Sequence, residues 1–191
     1  MCKNLVIFAS GSGSNFLSII HAIKSGDLSA TISGLITDNP DAGAIEHARN
    51  HDIPVKILDV QNSDTFTSQI HQTLEKWKPD LIVLAGFLRM IPGSVVDRYP
   101  QQIINIHPSL LPKYGGKGFY GINVHRAVLN AGEQTSGCTV HFVNNEYDKG
   151  DIIAKVEVPV LPDDTPETLA ARVLKQEHRL LPKIISQLTN S

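Results

Sequence analysis

Apolar residues along this chain fall into two alternating patterns. Short runs are apolar at nearly every position. Longer segments between them repeat apolar positions every three to four residues. The short runs at 5–9 (Leu-Val-Ile-Phe-Ala), 31–37, 54–58 and 80–85 read as buried strands. Segments 16–24, 44–50 and 63–77 read as helices, the second opened by Asn39, Pro40 and Asp41. A short helix near 93–98 leads to a further strand at 102–106. Continuous apolar strands alternating with helices predict an α/β class, a mostly parallel, doubly wound, twisted sheet covered on both faces. Farther along the rhythm changes. A helix at 122–130 is followed by strand-like runs at 136–143 and 151–158, separated by the turn-rich stretch 144–150. That spacing predicts two antiparallel or edge strands added to the parallel core. Thr165 as N-cap and Pro166 in the first turn open a last helix. It is expected to run to about Leu181, where Pro182 ends or kinks it.

Composition narrows this picture. The 191 residues are 41% hydrophobic and 19% charged, which predicts one soluble domain, 1–191, with a full core. A net charge of −2 without a basic stripe argues against a nucleic-acid partner. The two cysteines, Cys2 and Cys138, make no disulfide framework and fit a reducing, cytoplasmic setting. The run 5–9 is too short for a signal peptide or a membrane span, so no membrane partner is expected. Oligomeric state stays open between monomer and homodimer.

The chemistry concentrates in Asn105-Ile106-His107-Pro108-Ser109-Leu110-Leu111-Pro112. Asn105 and His107 are two apart, so a strand places them on one face. Pro108 lacks an N–H and disfavours a helix at His107, so the strand opens into a loop there. An amide donor and a titratable ring at a strand end are suited to stabilising an oxyanion and moving a proton. Asp148, in the turn-rich stretch, either forms a solvated turn or folds against His107. In the second case it orients the ring and raises its pKa, favouring imidazolium near neutral pH. His141 shares a strand face with Thr139 as a core or supporting residue, and His125 is a packing candidate. His21, His47, His51, His71 and His178 are assigned no chemistry.

The loop Gly11-Ser12-Gly13-Ser14-Asn15 links the first strand to the first helix. Phe16 stands where a dinucleotide fingerprint needs its third glycine, and no Gly-Lys-Ser/Thr follows. The remaining readings are a single-phosphate site at a helix start or an ordinary glycine turn. The chain has no His-Glu-x-x-His and no Cys-x-x-Cys, so no metal is expected. Cys138 reads as a buried structural thiol.

Over nearly its whole length the chain resembles the glycinamide ribonucleotide formyltransferases of purine synthesis. The matching stretches are 11–15, Leu-Ala-Gly-Phe-Leu-Arg-Met at 84–90, the 105–112 run, Gly-Cys-Thr-Val-His-Phe-Val at 137–143, Asp-Lys-Gly-Asp-Ile-Ile at 148–153 and Gln176-Glu177-His178. The resemblance implies a Rossmann-like formyltransferase fold. It also implies formyl transfer from 10-formyltetrahydrofolate to the amine of glycinamide ribonucleotide. Asn105 and His107 would stabilise the oxyanion, His107 would donate the proton, and Asp148 would raise its pKa. Gly13, Ser14 and Asn15 would bind the substrate phosphate, and Glu177 would sit near its glycyl amine and ribose. Leu88, Arg89, Met90 and Ile91, with Asn105, Asn144, Asn145, Glu146, Tyr147 and Asp148, would line the folate site. Some members carry an arginine before the third helix that pairs with the folate tail; 59–65 has none. The loop 114–121 is longer and richer in glycine than the shorter family form and is expected to cap the pocket as a mobile segment. Its Lys117 is a candidate for the missing positive charge.

Two rivals are weighed. One is a methionyl-tRNA formyltransferase or a formyl-folate hydrolase; the basic tRNA-binding domain of the first and the N-terminal regulatory domain of the second are not expected here. The other is a non-catalytic nucleotide-binding module that uses the 11–15 loop, with Asp38 gripping a ribose.

Overall fold

The structure, a computed structural model, describes residues 2–189. Its centre is β1 (Lys3–Phe8), in which Leu5, Val6, Ile7 and Phe8 are all fully buried. Leu5 and Ile7 pack into one apolar cluster, Val6 and Phe8 into another. Period-two alternation therefore feeds two cores, which is why the run is apolar at every position.

Around it lie β2 (Ala30–Thr37), β3 (Val55–Ile57), β4 (Leu81–Leu84) and β5 (Ile103–His107), all parallel. β6 (Thr135–Phe142) and β7 (Ile152–Pro159) continue the sheet antiparallel, giving the order β3-β2-β1-β4-β5-β6-β7. The helices α1 (Ser14–Ser25), α2 (Ala44–Arg49), α5 (Ile122–Asn130) and α6 (Pro166–Thr189) cover one face. The helices α3 (Ser63–Trp77) and α4 (Gly93–Arg98) cover the other. The α/β architecture read from the hydrophobic pattern is the observed one, antiparallel C-terminal strands included.

Two boundaries differ in ways that matter. β5 runs one residue farther than expected, so His107 itself is the last strand residue and Pro108 opens the loop behind it. That register sets Asn105 opposite His141 and His107 opposite Thr139 on β6. The last helix does not stop near Leu181; it continues through Pro182 to Thr189. A proline inside a helix costs about 3 kcal/mol. Beyond it, Ile184 and Ile185 are 3% and 0% exposed, and each such side chain gains about 1.5–3 kcal/mol on burial. Downstream packing outweighs the lost hydrogen bond. No helix among the described residues is long and apolar enough to cross a membrane.

Candidate active site

The strand order reverses between β1 and β4, so the loops that follow them lead apart and leave a crevice at the carboxyl end of the sheet. Ser10 joins the two loops where they part. Its N–H donates to the Gly86 carbonyl (3.0 Å), its hydroxyl donates to Asp38 Oδ1 (2.5 Å), and it accepts from the Leu88 N–H (3.0 Å). Arg89 Nε donates to Asp38 Oδ2 at 2.9 Å. Asp38 is therefore occupied by Ser10 and Arg89, which counts against the ribose-gripping role weighed for it.

A cavity of about 240 Å³ lies over the ends of β4 and β5. Its walls include Leu88, Arg89, Met90 and Ile91 from the loop after β4, and Asn144, Glu146, Tyr147 and Asp148 from the segment between β6 and β7. Gly116 to Tyr120 close a third side. Leu88, Met90, Phe119, Tyr120 and Tyr147 are large apolar side chains that stay exposed at this cavity. Such a rim suits a flat, partly apolar ligand. Asn145 takes no part in the lining; its Nδ2 donates to Asp97 Oδ1 at 3.1 Å, turning it onto α4.

Asn105 and His107 both line the floor, and Asp148 meets them there. Asp148 Oδ1 has three nitrogens around it: Asn105 Nδ2 at 3.4 Å, His107 Nδ1 at 3.5 Å and His141 Nε2 at 3.6 Å. Its Oδ2 accepts the Gly116 N–H at 2.8 Å. The residue has a left-handed backbone, φ 54, which an aspartate tolerates better than most side chains.

His107 is 5% exposed. Its Nε2 lies 2.8 Å from the Tyr114 carbonyl, which can only accept, so Nε2 carries a hydrogen. Nδ1 is left as the ring atom that faces Asp148. Burial pulls the His107 pKa down, and Asp148 and the Tyr114 carbonyl only partly oppose it, so the net shift is below the ordinary value. This corrects the expectation of a raised pKa. Asp148 does push upward, but desolvation of a nearly enclosed ring is the larger effect. Burial also pushes Asp148 up, but His141, His107 and the Gly116 N–H together bring its carboxyl below the usual range.

The 11–15 loop lies outside this cavity. Gly13 is the left-handed N-cap of α1 (φ 78), and no side chain caps the helix. The first-turn N–H groups and the helix dipole are left for an anion. A Cβ on Gly13 would come within 2.6 Å of the Ala44 Cα, so glycine is required twice over. Asn15 Nδ2 donates to Glu177 Oε2 at 2.6 Å, and both residues are buried. Burial raises the Glu177 pKa despite that bond. The structure thus ties the Asn15 side chain to Glu177, while the first-turn backbone of α1 has no side-chain cap. Among the described residues no group of three or more His, Cys, Asp or Glu is placed to hold a metal ion.

Residues 3–185 match the family model described as formyl transferase. The chain belongs to the formyl transferase family. It is 44% identical over 190 residues to a chloroplastic phosphoribosylglycinamide formyltransferase of Arabidopsis thaliana, an alignment covering 97% of this chain and 65% of that protein. The phosphoribosylglycinamide formyltransferase of Escherichia coli is 36% identical, with 96% of this chain and 85% of that one covered. A crystal structure of the Brucella melitensis phosphoribosylglycinamide formyltransferase matches with a TM-score of 0.90 at 38% identity, covering 100% of this chain and 97% of that one. The chain spans 61–65% of the length of the three plant relatives.

In this formyl transferase four contributors lie outside the expected site residues, His141 being expected only as a core or supporting residue. His141 reaches the cluster because antiparallel pairing sets it across from Asn105. Tyr114 and Gly116 act through backbone atoms, which residue type does not reveal. Ser10 is one serine among many until the loops after β1 and β4 are brought together.

Proposed function

We propose that the protein is a phosphoribosylglycinamide formyltransferase, a single formyltransferase domain over 1–191 that uses 10-formyltetrahydrofolate as co-substrate and needs no metal. The observation that carries this reading is the convergence of Asn105, His107 and Asp148 in a cavity beside an uncapped helix start. The folate ring system fits the apolar rim, and the ribonucleotide phosphate fits the α1 N-terminus.

The amine nitrogen of the ribonucleotide attacks the formyl carbon. The carbonyl electrons move to oxygen, where Asn105 N–H and the His107 imidazolium lower the energy of the oxyanion. Collapse breaks the bond from the formyl carbon to the folate nitrogen. His107 supplies the proton which that nitrogen takes, and the former amine returns one to the His107–Asp148 pair. Asp148 keeps Nδ1 aimed and compensates the imidazolium charge. The partners are these small molecules, in a cytoplasmic setting, with the protein a monomer or homodimer.

The test is formyl transfer from 10-formyltetrahydrofolate, followed by absorbance, with and without glycinamide ribonucleotide. Tetrahydrofolate that forms only with the ribonucleotide supports the proposal. Equal release without it would assign a hydrolase instead, and no release in either case would discard formyl transfer to this acceptor.

A further inference from the structure

His141 is 2% exposed and lies across the β5–β6 pair from Asn105. Its Nδ1 is 2.8 Å from the carbonyl oxygen of Phe142. A carbonyl only accepts, so Nδ1 carries the hydrogen, and in the neutral ring Nε2 is a bare lone pair. That lone pair faces Asn105 Nδ2 at 3.0 Å. Nε2 also lies 3.6 Å from Asp148 Oδ1, beyond the range of an ordinary hydrogen bond.

Asn105 Nδ2 has two hydrogens. His141 accepts one at an ordinary distance. The other points at Asp148 Oδ1 at 3.4 Å, beyond the usual range for an N–H···O bond. Turning the amide over would place its oxygen against two acceptors, the Nε2 lone pair and the Asp148 carboxylate. One hydrogen is thus anchored and one is only loosely held.

We infer that His141 is a positioning residue. It anchors the Asn105 amide by one hydrogen, fixes which end faces the ligand, and leaves the second hydrogen free to move from Asp148 to the oxyanion. The inference rests on the formyl-transfer reading of this site, and it adds a residue that acts through Asn105 rather than on the substrate.

The test is a double-mutant cycle with a spectroscopic arm. His141→Leu keeps volume and removes the acceptor; His141→Gln restores an acceptor oxygen. We expect His141→Leu to lower kcat about 10- to 100-fold, the cost of a mispositioned catalytic group. KM for both substrates should stay within about twofold, because His141 lines the cavity at only 2% exposure and offers a ligand little surface. His141→Gln should recover most of the loss. In an Asn105→Ala background the same Leu substitution should cost almost nothing further. Equal losses in both backgrounds, or a Gln variant as poor as Leu, would overturn the inference. If the Leu variant does not fold, the Gln variant decides, with a loss above about tenfold counting against us. The second arm needs no substrate. Nitrogen-15 spectra of ring-labelled histidine should show His141 protonated at Nδ1 alone, and its Nε2 resonance should move in Asn105→Ala. A proton on Nε2 would overturn the inference even if the unsubstituted protein transferred no formyl group, which would itself count only against the functional reading.

Discussion

Asp148 is placed to act on His107: its Oδ1 lies 3.5 Å from Nδ1, while Nε2 is committed to the Tyr114 carbonyl. Two consequences follow at the scale of single residues. His107→Ala and Asp148→Asn should each lower kcat by about 10²-fold or more, the usual range for losing a positioned proton-transfer group. Thermal melts and ribonucleotide binding should stay near normal, and turnover within tenfold of the unsubstituted protein would remove both from the mechanism. The pH profile gives the sign. Imidazolium is lost as pH rises through the His107 pKa, which lies below the ordinary value, so kcat/KM should fall on the alkaline side earlier than for a free histidine. Asp148 is one of the groups raising that pKa, so its removal should shift the limb to still lower pH. A limb that stays in place in Asp148→Asn would show that the carboxylate does not act on the ring. This chemistry was partly legible from the sequence: the spacing of Asn105 and His107 predicts a shared face. The net direction of the pKa was not, because it depends on how completely the ring is enclosed, a property of the assembled sheet and loop.

At the scale of elements, the helix–strand alternation was readable because the central strands β1 and β4 are apolar on both faces and the helices around them on one. What escaped was the end of α6, where burial of Ile184 and Ile185 overrides a proline rule that is purely local. The α1 start is the element-level feature with the sharpest consequence. Gly13→Ala would add a Cβ that meets Ala44 at 2.6 Å on a backbone of positive φ. We expect a loss of about 2–5 kcal/mol in urea unfolding, summing overpacking and the left-handed penalty. The KM for ribonucleotide should rise and the folate KM change little; an unchanged ribonucleotide KM would move the phosphate elsewhere. The 114–121 segment makes the complementary case. Lys117 lines the cavity and is exposed. If it takes over the charge that 59–65 lacks, Lys117→Ala should raise the folate KM about threefold, the scale of one exposed ion pair. No change in folate affinity would rule that role out.

On the scale of the whole molecule, the site puts an unusual load on the fold: His107, His125 and His141 are all buried. His125 lies in α5 with a buried Nδ1 that has no hydrogen-bond partner. Burial, and then the neighbouring His107, push its pKa down from 6.5 to about 4. His107 is shifted in the same direction, again mainly by burial. Both groups therefore bind protons more readily in the unfolded chain than in the folded one. When the unfolded state holds more protons, stability rises with pH. The contribution of these two histidines should be full above about pH 6.5, fall as pH drops from there toward 4, and level off below the folded pKa of His125. Replacing the ring by one of similar size that cannot charge removes this cost at one site. Melts of the unsubstituted protein and of His125→Phe between pH 7.5 and 4 measure it. The difference between the two Tm values should change by several degrees in favour of the variant as the pH is lowered. Parallel curves would mean that His125 charges as easily in the folded protein as outside it, and that the acid sensitivity belongs to other groups.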